Sequence, residues 1–505
     1  MLMLRELEME KKQVKIGAIL SYILIILNSA YGLIITPFIL GEIGPSEYGV
    51  YKTIGSLTAT IMVLDLGIGG TLQRYTAKFK AEEEDRNKIE NFLFMGIMQA
   101  IGLSLIIGFV CANVFFTIEP IYSSSFTNNE LIRAKQLFIL LSINVILHVF
   151  ENVIQGVISG LNQFIFTNGL KLCSLVIRGL LLFLILPVMN NSITVACITL
   201  IIELIIIIIE LLYLYLRLNI MAKFYYFDKT LFSESFKYTL MLFIQSIVSQ
   251  VNSNLDNVVV GAVIGAEAVA IYSFGLLIFN MFQQLSTSLS SVMLPTVINT
   301  IHSGANDTQL ENLVIKVGRI QFMLMGAALS GFLILGQEFI SLWLGDGFQD
   351  VWIITLILMF PAIWELSQNV CLTILRANNM LKFRTIILLI TTIVNFIITI
   401  IGTQLFGYFA AAFGTAISII IGSLVIMNIY YYKVLKLNPF RMFKNILDKT
   451  LICLIISSIV LAIVNYYIYG GWIAFCIKVL IFCLTYSILL LAYGFNKDSK
   501  GLILK

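Results

Sequence analysis

Arg178 lies about eleven residues into an apolar stretch that begins near residue 167, deeper in apolar sequence than any other basic residue. A guanidinium in hydrocarbon demands an acid or an anionic ligand. Glu151 and Glu203 are acids that could neutralise it; a bound anion is the other solution. Lys52 stands a turn into another apolar stretch, where its long stem can reach the headgroups, and it shares a helical stripe with Ser56 and Thr60. Glu203 and Glu210 are seven apart, hence on one helix face. With Glu151 or Asp256 they offer carboxylates to a proton or a cation; in the alternative, Glu203 neutralises Arg178 and Glu210 a loop base. Polar residues recur at helical spacing: Asn144, His148, Glu151, Asn152, Gln155 and Ser159 share a face, as do Gln245, Ser249, Asn252 and Asp256. Asn280, Gln284, Thr287 and Ser291 form a third face, and Glu365, Gln368 and Asn369 part of a fourth. Scattered Ser, Thr and Asn glue helices together at roughly 1 kcal/mol each, but faces this rich in amides and acids suit a hydrated cavity. His148 by itself reads as a satisfied bundle residue rather than a proton relay. Asp65 and Arg74 read as residues serving helix ends and lobe packing, and Lys478 as a shallow lysine on a late helix.

The elements that position these residues are fourteen apolar stretches: 16–40, 48–72, 91–116, 134–158, 167–188, 193–216, 238–262, 268–298, 317–343, 351–375, 383–405, 408–432, 448–468 and 472–494. With 59% hydrophobic and 12% charged residues the chain is too apolar for a soluble globule. Inside lipid every backbone polar group must be satisfied within the segment, and stretches of this length without period-two alternation predict helices, not a barrel. The fold class is therefore all-α, a polytopic membrane protein of about fourteen transmembrane helices. Of its 32 basic residues all but Lys52, Arg133, Lys135, Arg178 and Lys478 fall at alternate junctions, which places both termini in the cytoplasm. The net charge of +4 is what such junctions produce on their own, so no nucleic-acid partner is implied. The first apolar run is too long for a signal h-region and lacks a cleavage site, so it reads as a retained helix.

Seven cysteines all lie in apolar stretches without CxxC or Cys/His spacing, so no metal site and no cofactor is expected. Loops are short, and no soluble domain fits between the helices. A repeat of about 217 to 221 residues is visible: residues 151–162 (ENVIQGVISGLN) align with 368–379 (QNVCLTILRANN), pairing Asn152 with Asn369 and Asn162 with Asn379. The Gly41–Gly44 exit leading to Tyr51 likewise echoes Gly261–Gly265 leading to Tyr272. The expected organisation is an N-terminal lobe of six helices over 1–222, a second lobe of six over 223–440, and two appended helices over 441–505. Six being even, the lobes share an orientation and are related by a pseudo-two-fold axis along the membrane normal, with a path between them.

The run Thr36-Pro37 through Gly41-Glu42-Ile43-Gly44 to Tyr48-Gly49-Val50-Tyr51, then Leu64-Asp65-Leu66-Gly67 and Arg74-Tyr75, resembles the opening of polysaccharide flippases of the Wzx type. These belong to the multidrug, oligosaccharidyl-lipid and polysaccharide exporter superfamily. Asp256 through Gly261, Ala270-Ile271-Tyr272 and Gly160-Leu161-Asn162 fit the same family. The resemblance implies a multi-pass protein of the cell membrane that turns undecaprenyl-diphosphate-linked oligosaccharide from the cytoplasmic to the outer leaflet by alternating access. Its partners would be that lipid-linked glycan, membrane lipids, and polymerase or other assembly proteins. On that reading Arg178 and Lys52 become phosphate contacts, and Asn152, Gln155, Gln284, Asn252 and Asn369 line the polar cavity. Glu151, Glu203, Glu210, Asp256 and Glu365 are then the coupling-ion or proton residues. One rival is a cation-coupled multidrug or small-molecule antiporter of the same superfamily. Another is a membrane glycan polymerase or ligase, which would be expected to carry a larger outer loop with carboxylates or histidine; this chain has only His148 and His302. A non-enzyme is expected.

Overall fold

The computed structural model describes residues 2–65, 67–82, 86–227, 229–302, 306–378 and 380–494. Side chains of 2–11, 14, 230–231, 238, 240–249, 251–253, 288–289, 291–296, 302 and 377 lie outside the described residues, and with them Asn252, Gln245, Ser249 and Ser291. Among the described residues the chain is helical throughout, without strands. Each of the fourteen predicted stretches falls on helix. Among the described residues eleven helices are long and apolar enough to cross a membrane, twelve if one bent pair counts as a single span. Lipid supplies no partner for backbone groups, so a chain this apolar has no other regular option.

The chain divides into two compact units, Met1–Ala270 and Ile271–Lys505. The first holds α1 (Leu2–Ile61), α2 (Ile68–Ala81), α3 (Arg86–Tyr122), α4 (Asn128–Gly160), α5 (Phe164–Ile185), α6 (Ser192–Leu216) and α7 (Lys229–Val263), and ends in the first turn of α8 (Ala266–His302). The first two predicted spans are one element: α1 runs through both and changes direction at Gly44, whose φ of 80° only glycine adopts freely, just before Pro45. The second span, expected to be unbroken to residue 72, instead breaks in a 3-10 turn at Met62–Asp65, and α2 restarts after Gly67. That break turns Asp65 towards α4.

Polar ties fix the α1 kink against its neighbours. Ser46 donates to Glu130, which also closes the capping box of Thr127 at the start of α4. Glu47 accepts from the Ser192 backbone N–H at 2.7 Å and its hydroxyl at 2.8 Å at the start of α6, and pairs with Arg133 at 3.5 Å. The starts of α4 and α6 are thus held to one point. Along α2 and α4 small residues permit close approach: a Cβ at Gly156 would lie 2.5 Å from the Gly69 carbonyl oxygen, and one at Gly160 2.7 Å from Thr76 Cβ. Val50, Ile54, Leu72, Phe92, Leu137 and Val149 fill the core between these helices.

The second unit contains the rest of α8, then α9 (Asp307–Leu344), α10 (Asp350–Leu366), α11 (Asn369–Ala377), α12 (Leu381–Phe406), α13 (Phe409–Ser418), α14 (Met427–Val434), α15 (Pro439–Tyr467) and α16 (Gly471–Leu489). α10 and α11 form one predicted span bent by 50°. A π-helical turn, Ile419–Ile426, separates α13 from α14. Gln321 of α9 donates to the hydroxyls of Ser286 and Ser290 on α8 at 3.0 and 2.7 Å. α15 lies along α9, and α16 along both.

Candidate functional site

The densest cluster of ionisable groups in the first unit lies where α4 meets α6. His148 and Glu151 are one turn apart on α4, and Glu203 reaches them from α6. His148 Nδ1 is 2.8 Å from Glu151 Oε2 and 3.0 Å from Glu203 Oε1. At 1.5 Å per residue, His148 stands ~18 Å from the Gly160 end of α4 and Glu203 ~17 Å from the Ser192 end of α6, near mid-depth. Gln155, one turn beyond Glu151, donates to Glu151 Oε1 at 3.4 Å and accepts from Lys171 of α5 at 2.9 Å.

Two more acids complete the centre. Glu210 is fully buried on the face of α6 that carries Glu203, interacts electrostatically with Glu151 and Glu203, and has no hydrogen bond to either carboxylate oxygen. Asp65 accepts from Asn152 Nδ2 at 2.8 Å through one oxygen, while the other is buried without a partner. Asp65 interacts with His148 and Glu151, so it serves this interior cluster rather than the helix end expected from its position. Four acids therefore gather around His148, with Lys171 at the edge.

Arg178 is not part of that cluster. Among the described residues no salt bridge joins a carboxylate to it, and its Nε is buried without a hydrogen bond. It instead interacts with the hydroxyl-bearing rings Tyr31 and Tyr51 of α1. Lys52 places its ammonium 5.4 Å from the Tyr48 ring centroid, within cation–π range, and interacts with Tyr51. Tyr51 of α1 thus lies in the field of both Lys52, its chain neighbour, and Arg178 of α5, and neither cation has a bonded acid among the described residues. Asp256 is buried on α7 beside Asn257, which donates to Ser56 of α1 at 3.0 Å.

The remaining predicted residues lie in the second unit. Gln284 is exposed on α8, Asn369 opens α11 after the bend, and Glu365 of α10 accepts from Ser423 of the π-helical turn at 2.8 Å. Sequence reading gave no site role to His148, Asp65 or Tyr51. The signal for His148 was its spacing of three from Glu151, and the signal for Asp65 was the glycine two residues later, which stops the helix. Lys478, read as a shallow lysine on a late helix, is 2% exposed and bonded to Glu338.

A family model described as polysaccharide biosynthesis protein matches residues 15–300. Among curated protein sequences none matches this one. Solved structures share the fold. The lipid II flippase MurJ in an inward closed conformation superposes with a TM-score of 0.69 at 18% identity, over 94% of this chain and 97% of its own. A multidrug resistance MATE family transporter of the MOP superfamily, inward-facing, gives 0.61 at 14% identity, over 81% of this chain and 94% of its own. A MOP superfamily transporter from Pyrococcus furiosus gives 0.52 at 15% identity, over 84% and 96%. A multi-pass helical membrane chain whose residues 15–300 match this family model belongs to the polysaccharide biosynthesis protein family.

Proposed function

We propose that this protein is a Wzx-type flippase of the cell membrane that carries an undecaprenyl-diphosphate-linked oligosaccharide from the cytoplasmic to the outer leaflet. The observation that carries the reading is the placement of Lys52 and Arg178 around Tyr51 with no carboxylate bonded to either among the described residues. A diphosphate cannot leave water without replacement charges, and two unneutralised cations beside phenolic hydroxyls supply them. Tyrosine rings beside the cations also suit the faces of sugar rings. Gln284, Asn252 and Asn369 are the proposed contacts for glycan hydroxyls. Asn152 and Gln155, already bonded to Asp65 and Glu151, hold the acidic centre in place instead.

Transport on this reading is alternating access, with the repeat-related lobes 1–222 and 223–440 rocking about the polar residues and helices 441–505 appended. Both termini are cytoplasmic, as the distribution of Lys and Arg supports. Glu151, Glu203, Glu210, Asp256 and Glu365 are the proposed coupling residues. That acidic set also favours a second reading, a cation-coupled small-molecule antiporter. Alanine at Lys52 and Arg178 separates the two in a host that depends on this protein for its surface polysaccharide. Lost export with accumulation of the lipid-linked repeat supports the flippase; unchanged export with altered drug tolerance supports the antiporter. The purified protein is expected to show no glycosyl transfer from a lipid-linked donor.

A further inference from the structure

We infer that His148, Glu151 and Glu203 form a binding site for one divalent transition-metal ion of the zinc class, bridging α4 and α6, with Glu210 adding negative charge beside it. One ligand atom from each of the three residues lies within 4.8 Å of the others. The same nitrogen, His148 Nδ1, approaches two carboxylate oxygens at 2.8 and 3.0 Å. A ring nitrogen carries at most one hydrogen and satisfies one such oxygen well; a metal bound to that nitrogen and both oxygens satisfies all three.

Charge leads to the same place. Asp65, Glu151, Glu203 and Glu210 face only His148 and the peripheral Lys171, and unpaired charge in a low-dielectric interior is costly. With His148 neutral as a ligand, four carboxylates and Lys171 leave three negative charges, and one divalent ion reduces them to one. Glu210 is a second pointer: it is fully buried, neither of its oxygens closes a hydrogen bond of normal length although Gln155 faces it, and it interacts with both carboxylate ligands. The donor set selects the metal. Magnesium and calcium take oxygen ligands in larger number, whereas imidazole with two carboxylates leaving a fourth position suits zinc, cobalt or a neighbouring ion. Gln155, held by Lys171, orients Glu151 as an outer partner would. The sequence expectation of no metal site rested on cysteine and histidine spacing, which cannot register ligands from two separate helices.

The test is titration of the purified full chain in nanodiscs with Zn2+ by calorimetry, and with Co2+ by visible spectroscopy. One equivalent of Zn2+ should bind, and Co2+ should give the intense absorption of a four-coordinate site rather than the faint one of an octahedral ion. His148→Ala and Glu203→Gln should each weaken binding at least about tenfold, His302→Ala should leave it unchanged, and Mg2+ in excess should not compete. Should His148→Ala fail to fold, His148→Cys keeps a ligand and should bind Co2+ with a sulfur charge-transfer band. No stoichiometric binding by the wild type, or binding that survives both His148→Ala and Glu203→Gln, overturns the site, the latter as adventitious surface binding. Binding is read without glycan, so its failure leaves the flippase reading standing, and unimpaired export in the Lys52 and Arg178 variants leaves the metal site standing.

Discussion

Each unit buries a charged centre, and the two are built on opposite principles. In the second unit Lys478 of α16 donates to both oxygens of Glu338 on α9, at 2.9 and 2.7 Å, and to Asn465 Oδ1 of α15 at 2.8 Å. Three donors meet three acceptors, and one positive charge meets one negative. In the first unit four acids crowd one histidine, and Asp65 and Glu210 keep buried oxygens without partners. A closed centre has nothing left to bind and fastens helices together. An open one is kept at a cost in stability, which is tolerated where an ion or substrate completes it.

Breaking the closed centre should have the largest effect. Lys478→Met leaves the Glu338 carboxylate facing an apolar interior, and removing one partner of a buried pair destabilises by about 3–5 kcal/mol. Thermal unfolding in detergent should show a markedly lower midpoint. Adding Glu338→Leu should recover most of the loss, because a matched apolar replacement is nearly neutral. A double variant no more stable than the single would show that the pair is not what joins α16 to α9.

The cationic pair of the first unit offers a contrast of function against stability. Arg178→Ala and Lys52→Ala remove charged contacts worth about 1.5–3 kcal/mol each, so export should fall roughly ten- to hundredfold per residue by accumulation of the lipid-linked repeat. The protein level should hold, since no bonded acid is left behind. A fall in folded protein equal to the fall in export would assign both residues to structure.

A third change probes the scaffold that holds the open centre. Gly156→Val drives side-chain atoms into the Gly69 carbonyl, where even a Cβ would sit at 2.5 Å, and overpacking of this kind costs about 1–3 kcal/mol. Because Asn152 and Asp65 meet across the same α2–α4 seam, the variant should also weaken any ion bound at His148. Unchanged ion affinity in a destabilised Gly156→Val protein would separate the seam from the site.

The helical architecture was legible because lipid leaves the backbone one solution, and the apolar stretches report where that solution applies. Breaks were harder to read. Leu64, Asp65 and Leu66 look like one more apolar turn, and only Gly67 marks the stop, so Asp65 was assigned to a helix end and not to the interior. For Lys478, distance from the helix end is visible in sequence, but its partner Glu338 is 140 residues away, and depth in a bundle is set by that partner. The grouping of Glu151, Glu203 and Glu210 was readable from helical spacing on α4 and α6. That His148 rather than Arg178 joins them was not, because it depends on how α5 is rotated against its neighbours.

The smallest expected effect distinguishes the two centres most directly. Glu210→Gln keeps size and shape but replaces a buried carboxylate whose oxygens have no hydrogen bond. Leaving a buried polar group unsatisfied costs about 1–3 kcal/mol, more when it is charged, and Glu210 stands beside two other acids. Without ion the glutamine protein should therefore unfold at a higher temperature than the wild type, by an amount near 1 kcal/mol, the reverse of what Lys478→Met does. With ion added the order should reverse, since the wild type gains binding free energy that the variant lacks in part. A carboxylate whose neutralisation lowers stability with and without ion would be an ordinary structural partner, and the first unit's centre would then be closed like the second's.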